Sequence, residues 1–193
     1  NANIYYMFYQ NQLVLTGQLD DVGSPIRATS GKSYRLGLEI DANIQFSKMV
    51  STSTNFTLSN NKNKDFNSNN TGALVNLGNT NISYSPELVI GNALNFFPTE
   101  RLQLSVLSKY VGEQYMGNTD NDESVLESYF VNDFNISYEI KPKSIFKSIV
   151  LSGLVNNILN KKYVSNANDY GGGYIYYYPQ ATTNFLVGAT LKF

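Results

Sequence analysis

The sequence predicts an all-β fold, a transmembrane antiparallel up-and-down β-barrel with about eight strands spread over residues 1–193. Three observations support this prediction. Apolar and polar residues alternate through long segments, and the connections between those segments alternate between short and long. No apolar run approaches the roughly 18 consecutive residues that a membrane helix requires.

The clearest strand signal is segment 33–47, where every second residue from Tyr34 to Phe46 is apolar. Alternation with period two places the apolar side chains on one face of a strand. A soluble strand usually has about 5–6 residues, whereas a tilted membrane strand needs about 9–11 within the hydrocarbon. Segment 184–193 repeats the pattern with one interruption, at Leu186. Both segments are therefore predicted to be membrane strands.

Six further segments are predicted to be strands. Alternation is clear in 102–110 and less strict in 130–140, and it is weaker in 3–15, 51–60, 82–97 and 149–159. The predicted connections fall into two classes. Short turns lie at 48–50, 98–100 and 141–147, while long polar loops lie at 17–32, 61–81, 115–126 and 163–174. In outer-membrane barrels the short turns face the periplasm and the long loops face outside. A last strand descending to Phe193 puts every short turn on the periplasmic side.

Composition excludes several classes of function. The chain has 14 basic and 15 acidic residues, so it lacks the basic footprint that nucleic-acid binding requires. It has no cysteine and no histidine, which removes thiolate ligands, the commonest metal ligand and the commonest acid–base group. We therefore expect no catalytic residue, no metal site, no cofactor and no nucleic-acid partner.

Three segments resemble the TonB-dependent receptors, in particular those of the Bacteroidetes type. They are 4–17 (IYYMFYQNQLVLTG), 109–115 (KYVGEQY) and 155–163 (VNNILNKKY). The third is similar to the family's N-L-F-N-x-x-Y segment, with Ile158 and Leu159 in place of Leu and Phe. Tyr178-Pro179-Gln180-Ala181, followed by Phe185 and the terminal Lys192-Phe193, resembles the family's closing strand.

The resemblance implies that residues 1–193 are the last eight strands of a barrel with about 22 strands. It also implies an N-terminal plug, not visible in this sequence, through which the TonB complex drives active import across the outer membrane of a Gram-negative bacterium. The implied cargo is a scarce small molecule, a ferric siderophore or a similar metal chelate or cofactor. Further implied partners are outer-membrane lipid, the barrel assembly machinery and a surface lipoprotein.

Other readings stay open at this stage. One is a stand-alone eight-stranded outer-membrane barrel with a structural or adhesive role, since eight strands can close. Another is a glycan importer of the SusC type. A third, a soluble all-β binding module, is disfavoured by strands of 13 to 15 residues whose apolar face has no partner sheet.

Two groups of residues are singled out on the strands. Charged residues on the polar faces are expected to point into the lumen, because a charge facing lipid costs about 2–4 kcal/mol at the midplane: Arg35, Glu39, Asp41, Lys109 and Lys192. A soluble sheet would instead present them as solvated surface. Phe193 is in phase with the apolar residues of the last strand, and the resemblance implies that this final aromatic residue is the signal for barrel assembly.

Candidate ligand contacts lie in the predicted outer loops. Tyr170 and Tyr174 flank a glycine run, and their rings could stack on a ligand or form part of an interfacial girdle, which is the favoured role of Tyr176–Tyr178. Asn118 and Asp120 lie in an oxygen-rich loop with Asn121, Asp122 and Glu123. The spacing there does not match the EF-hand calcium loop, so solvated charge is the favoured reading.

Overall fold

The computed structural model describes residues 1–68, 75–142, 145–169 and 174–193. Eight long strands dominate it: β1 (Ala2–Leu19), β2 (Pro25–Gln45), β3 (Val50–Lys64), β4 (Leu88–Thr99), β5 (Leu102–Val111), β6 (Tyr129–Ile140), β7 (Ser148–Asn156) and β8 (Asn184–Lys192). Each pairs antiparallel with its neighbours in sequence, so the order across the sheet is the order along the chain. Among the described residues, no helix is long and apolar enough to cross a membrane.

The prediction of an all-β antiparallel sheet is confirmed, but the described residues form more than the eight predicted strands. A ninth, two-residue strand, Thr80–Asn81, pairs with β3. Three small hairpins stand apart from the main sheet: Asn67–Ser68 with Val75–Asn76, Gln114–Tyr115 with Val125–Leu126, and Val164–Asp169 with Ile175–Pro179, besides a 3₁₀ helix at Asp122–Ser124. The described strands form an open sheet with β1 and β8 at its edges, so barrel closure remains a prediction.

The two faces of the sheet have opposite character, which we call the apolar face and the polar face. Cross-strand register joins apolar residues into continuous rows, for example Ile4–Leu38–Leu58–Leu88 and Val106–Phe134–Val155–Phe185. This face is the exposed one, with Ile4 79% and Val187 83% accessible. Several polar residues of the other face are buried, including Ser33 and Asn61. The pattern is the reverse of a soluble protein, where apolar side chains are preferentially buried.

One row of polar side chains crosses the apolar face, consisting of Thr54, Asn92, Ser108 and Asn132 on four adjacent strands. The Asn92 amide donates to the hydroxyls of Thr54, at 2.6 Å, and of Thr52, at 2.7 Å. The Ser108 hydroxyl donates to Asn132 Oδ1 at 2.5 Å. These groups satisfy one another, which lowers the cost of placing them on an apolar surface.

The predicted long loop at 17–32 is wrong. β1 and β2 continue as a hairpin, and the connection is only 20–24. Asp20 Oδ1 accepts hydrogen bonds from the backbone N–H groups of Val22 and Ser24, and Gly23 adopts a φ of +81° that suits glycine. The extension of both strands into segment 17–32 was missed because apolar and polar residues show no sustained alternation there.

Several other strand boundaries in the structure also differ from the predicted ones. β3 runs on to Lys64, into the predicted loop 61–81, and segment 82–87 lies outside β4, with Pro86 just before the strand begins. The predicted loop 163–174 contains the whole of the Val164–Asp169 strand. The remaining predicted strands agree with the structure within a few residues. The longer connections 65–87, 112–128 and 157–183 share the end of the sheet with 20–24, which we call the loop end, and the short connections 46–49, 100–101 and 141–147 share the other, the turn end.

Candidate ligand-binding surface

The connection between β7 and β8 is anchored to the sheet by Asn157, which is 4% exposed. Its backbone N–H donates to Asp133 Oδ1 at 2.7 Å, and Ile158 N donates to the carbonyl of Asn132 at 2.8 Å. Its side chain donates to the carbonyl of Lys161, at 2.8 Å, and accepts from the N–H of Lys161, at 2.9 Å. Asn157 has a φ of +50°, a conformation that asparagine tolerates better than most residues. Residues 157–161 are thereby closed into a tight loop.

The loop delivers Tyr163 to the polar face, where its ring packs on that of Tyr129 with centroids 4.4 Å apart. Val111, Tyr129 and Val131 form a small buried cluster there, with Val89 and Tyr163 against it. Burial raises the pKa of the Tyr163 phenol, and the Asp133 carboxylate raises it further. Tyr163 is therefore held as a neutral hydroxyl in a partly apolar setting, able to donate a hydrogen bond.

Two depressions adjoin one another at Tyr163. The first, of about 450 Å³, is lined by apolar residues of the 125–126 strand together with Lys161, Lys162 and Tyr177. The second, of about 420 Å³, lies over β5 and β6 and includes Lys109 and Asp133. Together they offer aromatic rings, ammonium groups and amides on one surface. Three lysines and two carboxylates, Glu127 and Asp133, line the two depressions, so the surface has a small positive excess and can stack on an aromatic molecule.

The hairpin around 114–126 packs on the neighbouring one through a second apolar cluster, formed by Met116, Leu126 and Ala167 with Val164 and Ile175 beside them. The pKa of Tyr115 is raised by burial and then by the nearby carboxylates, Asp120 first. The loop end of the sheet is thus covered by two hairpins that contact each other directly.

Asn118 and Asp120, predicted as ligand contacts, bind other parts of the protein. Asn118 is 2% exposed, and its Oδ1 accepts from Ser83 N, at 3.0 Å, and from the Asn63 amide, at 3.3 Å. Asp120 Oδ1 accepts from Asn81 N at 2.8 Å. Both residues thus tie the 114–126 hairpin to the segment beside β3. Their ligand role stays a prediction, and the structure shows that both residues also hold the hairpin in place.

Of the two predicted loop tyrosines, the structure describes only Tyr174. Tyr170 lies outside the described residues. Tyr174 is 70% exposed and lies immediately before the Ile175–Pro179 strand, at the loop end, so a ligand could reach its ring. Its ligand role stays a prediction.

The residues predicted to face a lumen all lie on the polar face. Arg35 opposes Asn61 across the β2–β3 pair, and its guanidinium donates to Ser85 Oγ at 2.9 Å. Glu39 and Asp41 follow on the same face of β2, and Lys109 opposes Val131 between β5 and β6. Of this set, Lys109 lines one of the depressions described above. Whether the polar face encloses a lumen stays a prediction.

Phe193, the predicted assembly signal, follows the last residue of β8 and is 71% exposed. Its ring packs at 5.0 Å on that of Phe146 from the β6–β7 connection. The assembly role stays a prediction. Among the described residues, no group of three carboxylates is placed to hold a metal ion, so Asp120, Asp122 and Glu123 do not form such a cluster.

Sequence reasoning missed four residues of this surface: Tyr129, Asp133, Asn157 and Tyr163. Segment 155–163 was identified only by its resemblance to the family's N-L-F-N-x-x-Y segment, and the strand was predicted to continue to residue 159. Its repeated asparagines, which favour turns and left-handed backbone, were the available signal that the chain leaves the sheet at Asn157.

Comparison with known proteins places these features in a wider group. A family model described as "TonB dependent receptor-like, beta-barrel" matches residues 1–158. No curated protein sequence matches the chain.

Solved structures share the fold at low sequence identity. The siderophore receptor PiuA from Acinetobacter baumannii has a TM-score of 0.72 and 18% identity, over 97% of this chain and 25% of that one. The ferric-catecholate import receptor Fiu from K12 E. coli has a TM-score of 0.69 and 18% identity, over 97% and 24%. The ferric yersiniabactin uptake receptor FyuA from Yersinia pestis has a TM-score of 0.70 and 16% identity, over 97% and 26%. The chain therefore spans about a quarter of the length of these receptors.

Proposed function

Since the chain belongs to the TonB-dependent receptor β-barrel family, we propose that it forms the C-terminal part of a closed barrel of about 22 strands. The barrel lies in the outer membrane of a Gram-negative bacterium, with the loop end of the sheet outside the cell and the turn end in the periplasm. The observation that carries this proposal is the exposed apolar face, which continues across all eight long strands. An exposed apolar surface of this extent suits contact with lipid.

The function of the complete protein is energy-dependent import of a scarce small molecule, not catalysis. The TonB complex acts through the receptor's plug domain, and the barrel assembly machinery inserts the barrel. The favoured cargo is a ferric siderophore or a similar metal chelate or cofactor. Three of the solved relatives are named as siderophore or ferric-chelate receptors, which supports that class over the others.

The two depressions around Tyr163 are the proposed ligand contacts within this part of the barrel. Many ferric chelates are anionic and carry aromatic or planar groups, for which Lys109, Lys162 and the rings of Tyr163 and Tyr177 are suitable partners. Tyr174 and Tyr170 extend this surface outward. A glycan importer of the SusC type is the alternative, because exposed tyrosine rings also stack on sugars.

The test is uptake by cells in which the gene for the complete receptor is deleted and then restored. We expect restored cells to accumulate radiolabelled iron from a ferric siderophore, and to lose that uptake when TonB is absent. Uptake that is unchanged by the deletion, while growth on a polysaccharide is lost, would favour the glycan alternative. A receptor absent from the outer-membrane fraction would refute the proposal as a whole.

Variants then test the ligand surface. Tyr163→Ala and Lys162→Ala should weaken uptake without changing the amount of receptor in the membrane. The double variant Tyr170→Ala/Tyr174→Ala tests the outer tyrosines in the same way, and unchanged uptake would remove them from the ligand surface. Tyr9→Ala, on β1 and remote in sequence from both depressions, is the control.

A further inference from the structure

We propose that the loop end of the apolar face carries a binding site for the phosphate group of a lipid headgroup in the outer leaflet, formed by Lys32, Lys62 and Lys64. This inference rests on the proposed membrane location, and goes beyond it by assigning a specific lipid contact to named residues.

The three lysines are brought together by the register of β2 and β3. Lys32 lies directly opposite Lys64, and Lys62 lies directly opposite Tyr34. All four belong to the apolar face, in phase with Leu36 and Leu38 further down β2. Directly opposed residues have their Cβ atoms about 4.5–5.5 Å apart, and like charges so placed destabilise a sheet. An anion between the ammonium groups of Lys32 and Lys64 would turn that repulsion into attraction.

Among the described residues, no carboxylate forms a salt bridge with the three lysines, although Glu87 and Glu113 line the same depression as Lys62. Within the described residues, the salt bridge is Lys141 with Glu139, at 3.4 Å, far away at the turn end. The Lys62 ammonium donates to Asn81 Oδ1 at 2.5 Å, a neutral partner. Asp65 directly follows Lys64, and it forms no salt bridge with the described lysines.

The height of the cluster matches that of lipid headgroups. Ile44 is the lowest apolar-face residue of β2, and Lys32 lies 12 residues above it. At about 3.3 Å per residue and a tilt of about 40°, the rise is about 30 Å. The apolar band of an outer-membrane barrel is about 25 Å tall, so Lys32 and Lys64 lie just beyond its upper edge. That is the level of lipid phosphates, where ammonium groups are attracted to anionic headgroups.

Two aromatic rings lie next to the lysines, and one of them contacts Lys64. The Tyr34 ring stacks with Tyr6 at 6.1 Å, and the Lys64 ammonium lies 5.4 Å from the Tyr34 centroid. The Tyr34 hydroxyl donates to Asn60 Oδ1 at 2.8 Å, which orients the ring. Aromatic residues characteristically occupy the membrane interface. The arrangement is thus an interfacial aromatic pair topped by three ammonium groups.

The experiment uses the full-length receptor, purified from outer membrane in non-ionic detergent, with phosphorylated lipid A in mixed micelles as the probe. Binding is measured by native mass spectrometry for the unmodified receptor and for Lys32→Gln/Lys64→Gln. Each lysine near an anionic surface strengthens binding by about five- to sixfold, so removing two lysines should weaken binding by about 30-fold. The control Lys48→Gln/Lys147→Gln removes the same charge at the turn end and should bind normally.

Folding and specificity are checked separately. Heat-modifiable migration is measured first for every variant, and Lys32→Arg/Lys64→Arg, which keeps the charge, should retain binding. Equal lipid A affinity in the two glutamine variants would overturn the site. Displacement of lipid A by inorganic phosphate at comparable concentration would also overturn it, because the site would then belong to a free anion. A receptor that is in the outer membrane yet shows either result refutes this inference and leaves the proposed function standing.

Discussion

Replacing Asn157 by alanine should destabilise the connection between β7 and β8 far more than the same change at Asn160. Both residues adopt a left-handed backbone, with φ of +50° and +52°. An alanine in that conformation costs about 1 kcal/mol at either position. The two sites therefore share the backbone penalty, and differ in what their side chains bind.

The difference follows from the hydrogen bonds. The Asn157 side chain is buried and makes three, to the carbonyls of Lys161 and Ala181 and from the N–H of Lys161. The exposed Asn160 makes two long contacts of 3.4 Å with Thr183. At about 1 kcal/mol for each normal hydrogen bond, Asn157→Ala should cost about 4 kcal/mol in total. Asn160→Ala should cost about 1–2 kcal/mol.

The assay is equilibrium urea unfolding of the full-length receptor in detergent micelles, with heat-modifiable migration as the native readout. Asn157→Gly relieves the backbone strain and keeps the loss of hydrogen bonds, so it should recover about 1 kcal/mol relative to Asn157→Ala. Equal unfolding free energies for Asn157→Ala and Asn160→Ala would refute the reasoning, because the hydrogen bonds would then contribute nothing.

Three further predictions concern the membrane, assembly and pH. Leu94 lies on the apolar face of β4 and Ala93 on the polar face. Leu94→Arg should therefore cost about 2–4 kcal/mol of stability in the membrane and sharply lower the amount of assembled receptor, while Ala93→Arg should have little effect. Equal amounts of the two assembled variants would refute the contact of the apolar face with lipid. Deletion of Phe193 should reduce outer-membrane assembly, whereas Phe193→Tyr should preserve it, and an unchanged yield after deletion would count against the assembly signal. Because the folded protein raises the pKa of Tyr163 above the usual 10.0, stability should be unaffected below that pH and fall above it, where the unfolded phenol ionises first. Tyr163→Phe should reduce this alkaline loss measured by urea unfolding, and a pH profile unchanged by the substitution would contradict the assignment.

The sequence allowed the strands of the main sheet to be predicted well, since one apolar face and one polar face require strict alternation along each strand. Segment 33–47 became the main part of β2 for that reason. Beyond Lys32 the alternation is not sustained, and the prediction failed at the same point: the end of the β1–β2 hairpin was taken for a loop. Its polar strands are held by cross-strand backbone pairing, which leaves no periodic signal in the sequence.

The candidate site was less predictable for a different reason. Tyr163 and Tyr129 meet because Asn157 reverses the chain and Asp133 accepts its N–H, an arrangement between residues far apart in sequence. Asn118 and Asp120 were chosen for oxygen-rich composition, yet the same oxygens serve equally well to accept backbone N–H groups. Composition identifies a donor or an acceptor without identifying its partner.

The long β1–β2 hairpin also gives the protein a built-in reporter position. Above Lys32 the strand continues for seven residues to Pro25, which adds about 23 Å of arm beyond the lysine cluster. Its tip is pinned by Asp20, and Val22 there is 84% exposed. Because the chain contains no cysteine, Val22→Cys would introduce the only thiol in this part of the protein. With the proposed orientation, a fluorophore or spin label attached there would lie outside the cell and would report on movements of the loop end when a ligand binds.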